Sequence, residues 1–342
     1  MEFFPNDVLN HIFENLDYKH LNICCQVCEK WNFLINYIHW KKILVKKLHS
    51  FSIIPLDVNN IITYDKDSYK TLYCYTLPLP TYFITLDYTL FDGLHNFNNN
   101  QFELNQKIEI YNNTIYFTGN HEGGDRIIIS NKPVPTLLHN FVFKNEGKYN
   151  LKLSNIFYFE IEISNSAHRS SWSNECISIG FGTKLYPLVG SQLGWAYNSV
   201  GFHSDDGKYY NNSGHGKNYD QPWGAGDTIG CGLIKNKGNY VFYTKNGKFL
   251  GFKKFIFQKE SILYAMLGVD SSYPIEFNFN SKKFKFNIIN FINDFTTINK
   301  INLKKQYNKI KYLNNHEDED IFYDEDSFAQ AFVDILNLTI NM

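Results

Sequence analysis

The chain has 342 residues with 44% apolar and 20% charged content, enough core material for two or three folded units. Its 33 Lys and Arg against 34 Asp and Glu leave a formal net charge of −1, which removes the electrostatic case for a nucleic-acid binder. No run approaches the ~18 apolar residues of a membrane span, and no apolar signal segment opens the chain. The six cysteines, Cys24, Cys25, Cys28, Cys74, Cys176 and Cys231, do not form a disulfide framework. A reduced compartment, cytoplasmic or nuclear, is therefore expected.

Residues 1–48 read as helical. Pro5-Asn6-Asp7 is a helix start, with Asn6 as N-cap and Asp7 favourable at the positive end of the dipole. Leu9, Ile12, Phe13 and Leu16 follow at the spacing of one helix face. Residues 17–20 read as a turn. Leu21, Cys24, Cys25 and Cys28 resume helical spacing, joined by Val27, Trp31, Leu34, Ile35 and Ile38. A unit of ~45 residues rarely buries enough surface to stand alone. Three short helices cannot cover all these side chains with one another, and the remainder forms an apolar patch that marks a partner site.

The ordered set Phe4-Pro5-Asn6-Asp7-Val8-Leu9, Ile12, Leu16-Asp17, Leu21, Val27-Cys28-Glu29-Lys30-Trp31 and Trp40-Lys41-Lys42 resembles an F-box. Phe4 stands where Leu is usual, and Cys24-Cys25 where larger aliphatics are common. The resemblance implies docking onto the Skp-type adaptor of cullin–RING ubiquitin ligases. By position it assigns that contact to Pro5, Leu9, Ile12, Leu16, Leu21, Val27 and Trp31.

Residues 49–96 read as a connector in which 68–75 could be helix or strand. Beyond it the period turns to two. Phe157, Phe159, Ile161 and Ile163 alternate with Tyr158, Glu160 and Glu162, the pattern of a half-buried strand. Asp206-Gly207 and Asn246-Gly247 each predict a two-residue hairpin turn. The first would set Asp205 opposite Lys208. The second would set Lys245 opposite Lys248, Thr244 opposite Phe249 and Tyr243 opposite Leu250. Many short strands with turns between them argue for an antiparallel sandwich.

Tyr158-Phe159-Glu160, Ile179-Gly180-Phe181, Leu193-Gly194-Trp195, the run 201–208, the run 226–233 and Tyr243-Thr244-Lys245-Asn246-Gly247 resemble, in that order, a SPRY domain of the Ran-binding-protein-M-like branch. That resemblance implies a concanavalin-like sandwich of two antiparallel sheets over 97–287, whose loops hold a short peptide of a partner protein. Loops 120–126, 167–172, 185–189, 209–223 and 270–273 carry the Tyr, Trp, Arg and His that dominate binding hot spots. Arg126, Arg169, Tyr186, Leu188, Tyr209, Tyr219 and Trp223 are the expected peptide contacts. Core packing is the competing reading for Tyr209 and Trp223, and Trp195 reads as core. Residues 288–342 form a charged tail in which Ser327-Phe328-Ala329-Gln330 opens a terminal helix.

No catalytic or metal constellation is expected. Cys25-x-x-Cys28 lacks a second ligand pair and falls at helical spacing, so it reads as core. Cys176, Cys231, Ser204, His203, His215, Asp205 and Asp206 could be assembled into a triad on paper, but Asp205-Asp206-Gly207 is explained by turn chemistry, and Cys176 and Cys231 fall at inward strand positions and should be inert. The two resemblances together imply a substrate receptor of a Skp–cullin–F-box ligase that has no catalytic site or cofactor of its own, with a non-degradative scaffold as the alternative. An enzyme or a sugar-binding sandwich is the third possibility.

Overall fold

The computed structural model describes residues 4–51, 64–85, 108–118, 125–135, 139–145, 148–167, 175–235, 239–255, 262–280 and 282–294. Among the described residues five helices come first: α1 (Asn6–Glu14), α2 (Tyr18–Val27), α3 (Glu29–Leu34), α4 (Tyr37–Ser50) and α5 (Lys66–Cys74). Three of them start on a side-chain cap. Asp17, Asn36 and Asp65 accept from the backbone N–H of His20, Ile38 and Ser68, each satisfying an orphan donor of the first turn. The 17–20 turn is thus the capped start of α2. α1 differs, because its N-cap is Pro5 rather than Asn6 and no side chain caps it. Among the described residues no helix is long and apolar enough to cross a membrane.

Two seven-stranded antiparallel sheets follow. The first runs β1 (Phe83–Ile84), β4 (Arg126–Ser130), β15 (Tyr264–Asp270), β8 (Cys176–Gly182), β9 (Ser199–His203), β10 (Lys208–Asn211), β11 (Lys217–Asn218). The second runs β14 (Lys248–Lys254), β13 (Asn239–Lys245), β12 (Thr228–Lys235), β7 (Ile156–Ile163), β16 (Ile275–Asn278), β3 (Thr114–Phe117), β2 (Ile108–Tyr111). Their inner faces interdigitate through Phe159, Ile161, Ile179, Phe181, Phe202, Cys231 and Tyr243. Burial of each such side chain is worth about 1.5–3 kcal/mol.

Both outer faces are covered as well. Residues 288–294 form a short helix whose Phe291 packs on Phe242 and Phe249 with ring centroids 4.9 and 5.4 Å apart. β7 is therefore buried on both faces instead of half-buried, and Tyr158 and Glu160 lie inside. The outer face of the first sheet is covered by the segment 183–198 through Tyr186, Leu188 and Leu193. The tail helix expected from Ser327 lies outside the described residues.

A separate hairpin, β5 (His139–Asn145) with β6 (Lys148–Ser154), joins the two bodies. The period of two gives the ribbon two apolar faces. Phe141 packs with the outer face of the second sheet, whereas Val142 and its cross-strand partner Leu151 pack with the helices. There they join Leu9, Phe13, Leu21, Trp40, Leu44 and Leu48, together with Tyr69 and Leu72 of α5. Segment 68–75 is thus helical over most of its length, and the connector completes the helical core. Part of the apolar surface that three short helices cannot cover is covered by this chain itself.

Candidate functional site

Another part stays uncovered. α1, α2 and α3 frame a groove of about 280 Å³ lined by Phe4, Leu9, Ile12, Phe13, Leu16, His20, Ile23, Cys24 and Trp31. Its floor is fixed by an edge-to-face contact of Phe13 and Trp31 at 5.4 Å. Ile12 and Ile23 remain 43% and 50% exposed, and Val8, Val27 and Phe33 are exposed nearby. Exposed apolar side chains grouped on a helical unit are the kind of surface at which proteins associate. Around it Lys42 pairs with Glu14 at 2.8 Å, and Asp17 accepts from His20 Nδ1 at 2.8 Å. The backbone N–H of His20 and its ring hold the Asp17 carboxyl below the usual carboxylate range.

The seven expected adaptor contacts divide by burial. Ile12 and Val27 are exposed, as is Pro5, and Leu16 and Trp31 are half-buried. Leu9 and Leu21 are 3% and 0% exposed and pack into the helical core; Leu9 also lines the groove from below, whereas Leu21 does not line it. Ile23, four residues before Val27 on α2, was missed although its spacing signals one face. The cysteines do not all serve as core: Cys24 and Cys25 are half-buried and Cys28 is exposed at the α2–α3 junction.

At the sandwich, burial overturns most of the expected peptide contacts. Tyr209 and Trp223 lie in the inter-sheet core. Tyr186 and Leu188 pack on the outer face of the first sheet, and the Tyr186 hydroxyl donates to Gln192 O at 2.5 Å. Arg126 is 2% exposed, and its Nη1 donates to the Asp125 carbonyl at 3.0 Å. Tyr219 is half-buried, with its hydroxyl donating to Gly251 O at 2.6 Å. Arg169 lies outside the described residues. For Tyr186, Leu188, Tyr209, Tyr219 and Trp223 the physical reason is shared: the 183–198 and 209–223 segments fold back onto the sheets and spend these side chains on packing. What they leave outward is Leu185, Tyr197 and, at 39% exposure, Trp195, which the sequence suggested as core.

The turns explain one further rearrangement. Asn246 and Gly247 both have positive φ, 53° and 82°, so the second hairpin has the expected two-residue turn with Lys245 opposite Lys248 and Thr244 opposite Phe249. A bulge between Phe242 and Thr244 removes Tyr243 from its expected pairing. In the first hairpin Tyr209 pairs with Phe202, which makes the connection four residues, 204–207. Ser204 leaves the ladder because its N–H donates to Ile177 O and its Oγ accepts from Ile177 N–H. Asp205 is thereby released from opposite Lys208 and turned toward Cys176 and His203. Cys176 is not part of the inter-sheet core; Gln192 Nε2 donates to its carbonyl at 3.4 Å, and burial pushes its thiol pKa up. Such a thiol is a poor nucleophile.

Residues 2–42 match the family model described as F-box domain, and residues 156–282 match the one described as SPRY domain. The chain is 37% identical over 98 residues to SPRY domain-containing protein 3 of Homo sapiens, covering 28% of this chain and 21% of the relative. It is 34% identical over 144 residues to Ran-binding protein 9 of Xenopus tropicalis, covering 42% of this chain and 24% of the relative. The chain thus spans about a fifth to a quarter of these curated relatives. A crystal structure of a human SPRY domain is 26% identical, with a TM-score of 0.38, over 52% of this chain and 97% of that one.

Proposed function

We infer that this chain, whose residues 2–42 match an F-box domain and 156–282 a SPRY domain, works through two interaction modules. From that pairing we propose that it is the substrate-recognition subunit of a Skp–cullin–F-box ubiquitin ligase. The F-box docks the Skp-type adaptor, and the loop end of the sandwich holds a peptide of the target protein. The carrying observation is the apolar groove over α1–α3, whose exposed Ile12 and Ile23 suit an apolar helical partner. Catalysis in such an assembly is proximity, since tethering raises the effective concentration of target lysines near the conjugating enzyme. No catalytic group in this chain is then required.

The test is adaptor binding by the intact chain. Ile12→Asp puts a charge into the groove at a position the fold does not need buried. It should weaken adaptor binding by at least about 30-fold, the effect of losing a hot spot of about 2 kcal/mol, and leave the melting temperature unchanged. Wild-type affinity in that variant, or no adaptor binding by the unaltered chain, would overturn the proposal. Blocking cullin activity then separates receptor from scaffold: a receptor's bound partners gain half-life, and a scaffold's do not.

A further inference from the structure

Cys176, His203 and Asp205 converge on the outer face of the first sheet. Cys176 opens β8, and His203 closes β9 opposite Ser178, which places both side chains on the same face. Asp205 reaches them from the four-residue connection. The Cys176 Sγ lies 3.8 Å from His203 Nδ1 and 3.4 Å from Asp205 Oδ1, and His203 Nδ1 lies 4.0 Å from Asp205 Oδ1. A tetrahedral zinc, with bonds of about 2.3 Å to sulfur and about 2.0–2.1 Å to nitrogen and oxygen, holds such atoms about 3.3–3.6 Å apart. The Cys176–Asp205 distance already lies in that range, the Cys176–His203 distance is about 0.2 Å above it, and only the His203–Asp205 distance must close by more than half an ångström.

The imidazole is already set for ligation. His203 Nε2 is 2.7 Å from Leu193 O, and a carbonyl can only accept. The proton therefore sits on Nε2, and Nδ1 presents its lone pair to Cys176 and Asp205, the outer-shell arrangement that orients metal-binding histidines. Tyr210 stacks on the ring at 3.9 Å and Trp195 lies at 5.9 Å, which fixes its plane. Access is open on one side, because the Asp205 side chain is 48% exposed while that of His203 is 1% exposed.

We propose that Cys176, His203 and Asp205 bind one zinc ion, with water in the fourth position. Thiolate, imidazole and carboxylate are a donor set suited to zinc, and the two anions balance its charge. The thiol proton leaves to solvent on binding. Bound metal would fasten the 204–207 connection and, through Leu193, the 183–198 segment onto the sheet.

The experiment titrates the intact, chelator-treated chain with cobalt(II) as a spectroscopic probe and with zinc against a competing chelator. The expected result is one cobalt per chain with a thiolate-to-cobalt charge-transfer band, and a zinc-dependent rise in melting temperature. Cys176→Ser should abolish the band. Asp205→Asn, at an exposed position that folding does not require, should weaken zinc at least tenfold without moving the melting temperature of the metal-free protein. Absence of the band in the unaltered chain overturns the proposal. So does a band that survives Cys176→Ser, which would place the metal on Cys24, Cys25, Cys28 or Cys74, or unchanged affinity in Asp205→Asn.

Discussion

Tyr64 and Leu151 are joined by two hydrogen bonds across 87 positions of sequence. The Tyr64 hydroxyl donates to the Leu151 carbonyl at 3.1 Å and accepts from the Leu151 N–H at 2.9 Å. Tyr64 immediately precedes the cap of α5, and Leu151 lies on the face of β6 that packs on the helices. One phenol thus completes the edge of the β5–β6 ribbon where that ribbon meets the helical body. Burial of the ring pushes its own pKa up, so it stays a neutral donor.

Tyr64→Phe keeps the ring and removes both bonds. It should cost about 1–3 kcal/mol, because a buried amide and carbonyl lose their partner. The loss should fall on the junction: in urea, the helical signal of the variant should decay before the near-ultraviolet signal of the sandwich. Coincident transitions at the wild-type midpoint would mean that the ribbon does not couple the two bodies.

Glu160 supplies a pH test. It is 4% exposed on β7 and accepts from the Tyr158 hydroxyl at 2.8 Å and from the N–H groups of Lys285 and Phe286 at 2.8 and 2.9 Å. Burial nonetheless outweighs these donors and holds its pKa above the ordinary glutamate value. A carboxyl whose pKa rises on folding binds its proton more tightly in the folded state. Its contribution is therefore full below the unfolded value and is lost as pH rises through the folded one. Wild-type stability should decline relative to Glu160→Gln as pH rises from about 4 toward neutrality, where an unperturbed glutamate of pKa about 4.3 would already be ionised. Urea midpoints across that range check this, and a difference that instead grows in favour of wild type would show that the three donors outweigh burial.

Gly180 tests the close approach of β8 and β9. A Cβ there would lie 1.9 Å from Val200 O of the neighbouring strand, so Gly180→Ala must force β8 and β9 apart. The expected loss is about 3 kcal/mol or more. Gly214→Ala, which meets nothing within 4 Å and has no positive φ, should stay within about 0.5 kcal/mol of wild type. Equal denaturation midpoints for the two variants would contradict the close approach of the strands.

Local chemistry in the sequence was enough to establish several features. Asn246-Gly247 dictates positive φ at both positions and so the 245–248 register, because the turn type depends on those two residues alone. The spacing of Leu9, Ile12 and Phe13 dictates α1, and the order of glycine-punctuated strands dictates the sandwich. Burial of loop side chains was not legible, because it depends on what distant segments bring to each face. The 284–292 stretch covers the second sheet and so buries Glu160. The fold-back of 183–198 buries Tyr186 and Leu188 and leaves Trp195 outward. The shift of the β9–β10 register by Ser204 came from a bond to Ile177, 27 positions away. Only that long-range contact brought Asp205 to Cys176 and His203, three residues whose spacing in sequence carries no sign that they meet.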